Sequence, residues 1–128
     1  YARAAAANYE TWDHYRKSLP VPYHPNVSMG WDPSPRCTQS DSYANRGYPW
    51  TAILDGNTPK AFGEALARAC EFARVNYPRQ AVVTLNAWNE WTEGSYLLPD
   101  TLHGTAYLDA VRRIRAGYVC RDTHDENA

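Results

Sequence analysis

Much of what would assign this 128-residue chain at a glance is missing from it. Neither Gly-x-Gly-x-x-Gly nor Gly-x4-Gly-Lys occurs, so the common phosphate-cradling loops are absent. No apolar run approaches the roughly 20 residues that span a bilayer. Formal net charge is -1, so there is no basic field to hold nucleic acid or anionic lipid. The cysteines, Cys37, Cys70 and Cys120, are odd in number and lack Cys-x-x-Cys spacing, which argues against a disulfide framework or a zinc site. His14, His24, His103 and His124 show no metal-ligand pairing and read as surface or hydrogen-bonding residues; neither a metal nor a cofactor is expected. The chain opens on Tyr1, with no initiator Met and no signal peptide. It reads as a piece of a longer protein, and its compartment stays open.

What is present describes a globular chain. Hydrophobic residues make up 44% and charged residues 21%. Residues 2–18, alanine-rich with Ala5, Tyr9, Trp12 and Tyr15 or Arg16 at helical spacing, predict a helix that Leu19, Pro20 and Pro22 end. "NVSMGWD" (26–32) reads as a short strand. Residues 33–57 read as a long loop, which in a compact domain is functional or disordered. This one carries Arg36, Tyr43, Arg46, Tyr48 and Trp50, odd choices for a disordered linker.

Residues 58–77 give the clearest helix. Thr58 suits the N-cap and Pro59 the first helical position. Phe62, Leu66, Ala69, Ala73 and Tyr77 form an apolar stripe beside Cys70, and Glu64 to Arg68 is a favourable i,i+4 pair. "AVVTLNAW" (81–88) reads as a strand buried on both faces. A polar, aromatic loop (89–102) and a helix (103–116) ending at Gly117 follow. Strands alternating with helices imply α/β architecture and a parallel sheet. Two βα units cannot close a sheet, and a (β/α)8 TIM barrel takes about 250 residues. We read residues 1–117 as the C-terminal βα units of such a barrel within a larger catalytic domain, and 118–128 as a polar tail. A doubly wound sheet has the same local signature. Alone, such a piece would expose strand edges and be poorly soluble or partly molten.

Both strands end in unusual chemistry, "GWDPSPR" after the first and "NAWNEWTEG" after the second. In either βα architecture, functional groups collect at the C-terminal ends of the strands. Two carboxylates, Glu90 and Glu93, suit cleavage of a glycosidic bond, one holding a proton for the leaving oxygen and the other ionised. Aromatic faces such as Trp88 and Trp91 offer apolar walls and platforms for sugar rings. In an extended strand the two glutamates would face opposite sides, so the chain must leave the strand between them, as Gly94 makes easy. The bland alternative is that the glutamates are solvated and the tryptophans belong to a core or interface.

"NAWNEWTEGSYLLPD", followed by "HGTAYLDAV" and preceded by "PNVSMGWDPSPRC", resembles the WbsX-type proteins, a glycoside hydrolase family 99-like group. The resemblance runs from about residue 20 to residue 116. It implies a (β/α)8 barrel without cofactor, acting on a carbohydrate, oligo- or polysaccharide. It also implies retaining, mannosidase-like chemistry with Glu90 as base and Glu93 as general acid. In that scheme the base deprotonates the sugar's own 2-hydroxyl and an epoxide-like intermediate forms. Thr92 stands where the family 99 endo-mannosidases carry histidine, and the loop "WDPSPR" also differs, which touches substrate choice. Trp31, Asp32, Arg36, Asn89, Trp91 and Tyr96 are candidates to bind substrate. Asp32 would bond sugar hydroxyls or cap the loop, and Arg36 would orient a carboxylate or neutralise the loop. Asn86 would bond a sugar or tie the loop down; for Asn89 the sugar is the better reading. Trp88 reads as support, Trp91 as ligand-facing, and His103 as a rim residue. WbsX-like proteins are also labelled glycosyltransferases of surface polysaccharide synthesis, which is the second reading. A non-catalytic carbohydrate-binding domain is the third.

Overall fold

The computed structural model describes residues 1–125, with side chains through residue 117. The first helix, α1, spans Ala2–Ser18, and Leu19 leaves it in an extended conformation. Its inner face buries Trp12, with Ala5 and Tyr9 packed beside it. Strand β1 (Asn26–Ser28) runs parallel to β2 (Thr84–Asn86), pairing Val27 with Leu85. Between them lies α2 (Pro59–Asn76), where Thr58 caps the first turn by accepting the Ala61 N–H at 3.2 Å. The unit β1–α2–β2 is thus a parallel pair joined by a helical crossover, the arrangement that alternating strand and helix signals predict.

The core gathers where α2 meets β1 and the last helix, α3 (Ala106–Asp125). Phe62, Leu66 and Ala69 on α2 meet Val27, Met29, Tyr107 and Ala110 there, and the rings of Phe62 and Tyr107 lie 5.6 Å apart. Cys70 packs against this core, and burial pushes its thiol up. Among the described residues no helix is long and apolar enough to cross a membrane.

Several expectations change. Each strand is only three residues long, shorter than the apolar runs that contain them. β2 is not buried on both faces: Thr84 is exposed and Leu85 and Asn86 are half-buried. The described sheet has only two strands, so β2 has a neighbour on one edge alone. Gly117 does not stop α3. A glycine ends a helix by turning left-handed, and Gly117 is not among the glycines with positive φ. The segment expected as a polar tail from 118 is helical to Asp125, and its last three residues lie outside the described residues. On α2, Glu64 pairs with Lys60 at 4.0 Å, while the Arg68 guanidinium lies over Tyr9, 4.7 Å from the ring centre.

Val75, Val82 and Leu102 are exposed, and Leu66, Ala73, Val83, Leu85, Val111 and Ile114 line an apolar groove between α2, β2 and α3. Apolar surface of this kind left in water promotes association. The 128-residue chain expressed alone is therefore expected to bind the dye ANS and to melt broadly. A sharp two-state melt at full solubility would show that the chain needs nothing further over this groove.

Candidate functional site

The 89–102 loop contains a small hairpin. Strands β3 (Asn89–Glu90) and β4 (Ser95–Tyr96) pair antiparallel around a 3-10 turn, Trp91–Glu93. Two-residue strands have no periodicity to detect, which is why the sequence shows only a loop. The chain leaves the strand between the two glutamates as expected, and Gly94 takes the left-handed conformation with φ 60°.

A buried hydroxyl seats this hairpin on the sheet. Ser95 is fully buried, and its hydroxyl donates to the Asn86 carbonyl and lies 2.9 Å from that of Ser28. The Asn86 side chain donates to the same oxygen at 3.3 Å. Of the two roles open to Asn86, the structure gives it that of tying down the loop. The hairpin also meets the segment after β1, where the Asp32 N–H donates to the Glu93 carbonyl at 2.7 Å. That approach needs glycines on both sides. A methyl on Gly30 would lie 2.6 Å from the Gly94 carbonyl oxygen, and one on Gly94 would lie 3.0 Å from Cβ of Asp32.

Arg36 reaches this hairpin from the end of a 3-10 turn, Ser34–Arg36. Its Nη2 donates to Glu90 Oε1 at 2.9 Å, and its Nε lies 3.5 Å from Glu93 Oε1. One guanidinium therefore lies within 3.5 Å of both carboxylates. Glu90 Oε1 also accepts the Thr92 hydroxyl at 2.8 Å, and Glu93 Oε1 accepts the Tyr48 hydroxyl at 2.7 Å. The Glu93 side chain is 20% exposed and that of Glu90 40%. The hydrogen bond to Glu93 is the main reason the Tyr48 phenol is pushed up, with Arg36 opposing it.

Tyr48 and Thr92 are the contacts that sequence reasoning missed as site residues. Tyr48 belongs to the aromatic set of the long loop, but nothing in the spacing joins it to a glutamate 45 positions away. For Thr92, the departure from histidine inside the motif was the available signal.

The other candidates divide. The Trp31 indole donates to the Thr51 hydroxyl at 3.1 Å, and its ring lies 6.3 Å from that of Tyr48. Asp32 Oδ1 accepts the Ser34 N–H at 3.0 Å, which is the loop-capping role. Asn89 is exposed on β3, opposite Tyr96. Trp91 stacks on Tyr96 with ring centres 4.0 Å apart and remains 46% exposed. Trp88, expected as support, is 56% exposed. β2 ends at Asn86, so nothing in the described sheet covers that indole.

Tyr96 and His103 line a cleft of 480 Å³ with Met29, Asp32, Asn57 and Tyr107. Below it, Asp100 Oδ2 accepts the Tyr96 hydroxyl at 3.0 Å and lies 3.3 Å from His103 Nδ1. The His103 backbone N–H, with smaller help from these two groups and against the effect of burial, holds the Asp100 carboxyl below its ordinary range. A lowered native value means that the stabilisation is fully present above about pH 4 and fades as pH falls through that value. Urea unfolding of the whole protein is expected to show Asp100→Asn less stable at neutral pH, with the difference smaller at an acidic pH below about 4. An equal difference at both would remove the carboxylate as its cause.

Among the described residues no group of three His, Cys, Asp or Glu could hold a metal ion.

Residues 2–111 match the model of the family described as "Glycosyltransferase WbsX". A protein of Xanthomonas campestris pv. campestris, described as "Uncharacterized protein WxcX", is 37% identical over 91 residues, which is 70% of this chain and 12% of that protein. The protein of the same description from a second strain matches equally. The chain thus spans a small part of these relatives' length. No solved structure matches. On the family match across most of its length, supported by these relatives, the chain belongs to the WbsX family.

Proposed function

We propose that this chain carries the acid and base of a retaining, mannosidase-like glycoside hydrolase domain that cleaves a polysaccharide or glycan. The observation that carries the reading is the single guanidinium of Arg36 between Glu90 and Glu93, because it brings both carboxylates together at the C-terminal end of β2. In the proposed reaction Glu93 gives its proton to the leaving oxygen as the bond to C1 breaks. Glu90 takes the proton of the neighbouring 2-hydroxyl, whose oxygen closes on C1. Water then opens that ring, giving a proton to Glu93, and the 2-oxygen recovers its own from Glu90. Each carboxyl ends as it began. The exposed indoles of Trp88 and Trp91 offer faces for sugar C–H groups.

For the architecture we propose two consecutive βα units of a (β/α)8 barrel. The parallel β1 and β2, and functional groups after both, support this.

The family's description favours a second reading, glycosyl transfer. The two differ in what accepts the sugar and what leaves it. A sugar nucleotide would bring a diphosphate. Among the described residues, the cleft by the start of α2 is lined by Asp32 and Asp55 and by no Arg or Lys, which does not suit such a group.

The test incubates the whole protein with α-mannosides and bacterial polysaccharides, and separately with sugar nucleotides plus acceptor glycans. New reducing ends without nucleotide are the expected result. Nucleotide release with a lengthened glycan would replace hydrolysis by transfer. Sugar binding with neither product would leave a carbohydrate-binding domain.

A further inference from the structure

We propose that Tyr48 is a positioning residue for Glu93, holding Oε1 so that the proton for the leaving oxygen is carried on Oε2. The proposal rests on the reading of Glu93 as the general acid. Two groups approach Glu93 Oε1: the Tyr48 hydroxyl donates to it at 2.7 Å, and Arg36 Nε lies 3.5 Å away. Tyr48 carries a hydrogen toward this oxygen and the Arg36 charge stands beside it, so a proton on it would compete with a donor and a cation. Oε2 receives no hydrogen bond from the described residues. The charged groups that act on the Tyr48 phenol are Arg36, Glu93 and Glu90. Its ionisation is pushed up, so the phenol keeps its hydrogen and remains a donor at neutral pH.

Tyr48 is also held where this works. Gly47, at φ 86°, bridges to Trp50 and turns the chain, and the Tyr48 ring lies 6.3 Å from that of Trp31. The Arg36 guanidinium lies 5.9 Å from the centre of the same ring. The ring is 52% exposed, so burial in a core is not what keeps it there. When Oε2 releases its proton, the electron pair of the C1–O bond goes to the leaving oxygen and the carboxylate becomes charged. The hydrogen bond from Tyr48 then strengthens, because a charged acceptor binds a donor more tightly than a neutral one. Tyr48 would thus favour proton transfer without touching the sugar.

The experiment compares Tyr48→Phe with wild type and Glu93→Gln in the whole protein, on two α-mannosides. One has a sugar as leaving group and needs the proton. The other has an acidic phenol, which leaves without it. Tyr48→Phe is expected to lower kcat about 10- to 100-fold on the first, with KM little changed, and to leave kcat/KM on the second, which reports only the step before ring opening, nearly untouched. Normal turnover of the phenol substrate reports that the variant is folded. Equal loss on both substrates, or no loss on either, overturns the proposal. If Glu93→Gln discriminates and Tyr48→Phe does not, the acid assignment stands and the positioning role alone falls. If Glu93→Gln fails to discriminate, the acid assignment falls and takes Tyr48 with it.

Discussion

Glu93→Gln in the whole protein is expected to lower kcat about 10²- to 10⁴-fold on substrates with a sugar leaving group, the range that removal of a general acid gives. The substitution is close to isosteric. An amide oxygen in place of Oε1 still accepts from Tyr48 and faces Arg36, so the 3-10 turn and the Asp32 contact have no reason to move. What disappears is a group that can hold and release a proton. Glu90→Gln is expected to cost a similar factor with a different signature. The base acts in the first step whatever the leaving group is, so in kcat/KM, which reports that step, a phenol leaving group spares Glu93→Gln and does not spare Glu90→Gln. The values of kcat/KM for the two variants on the two substrates give four numbers, and only the stated pattern fits one acid and one base. Unimpaired hydrolysis by Glu93→Gln on the sugar substrate would end its assignment as acid.

Gly30→Ala is expected to be the most damaging change outside the carboxylates, although it adds one methyl. Gly30 is buried, and that methyl would sit 2.6 Å from both the Gly94 carbonyl oxygen and Nδ2 of Asn57. The amide can swing away, but the carbonyl belongs to the hairpin backbone and moves only with Glu93. Overpacking of this kind costs about 1–3 kcal/mol. A shift of about 1 Å in a reacting group costs on the order of 10²-fold in rate. The measurement pairs urea unfolding with kcat. A variant as stable and as active as wild type would mean that the Gly30–Gly94 contact is looser than these distances say.

The helices were legible in the chain because helical structure is announced locally. Thr58 and Pro59 mark the start of α2, and the Phe62–Leu66–Ala69–Ala73 stripe marks its buried face. The end of α3 was not, because whether Gly117 turns left-handed or stays helical is decided by its surroundings. The strands were placed correctly and drawn too long: apolar composition continues past Ser28 and before Thr84, but partners for the ladder do not. At the site, the pair Glu90 and Glu93 could be read from spacing, and Arg36 from its position after the first strand. The Tyr48 contact could not, because it depends on how the long connection between β1 and α2 folds back rather than on any local period.

The connection between β1 and α2 supplies the groups that hold the carboxylates, Arg36 and Tyr48, and supplies none of the carboxylates themselves. On the proposed function, proton chemistry and its control are therefore encoded in separate stretches of the gene. The hairpin is bound to the sheet through Ser95 and Ser28 and tolerates little change. The connection is anchored near its two ends, by Asp32 at one and by the Leu54 N–H on the Trp31 carbonyl at the other. Between those anchors it can lengthen, shorten or be exchanged without breaking a strand. On the proposed function, such an arrangement would let a lineage vary the glycans it processes by editing this connection around Arg36 and Tyr48 while both keep their hold on the carboxylates.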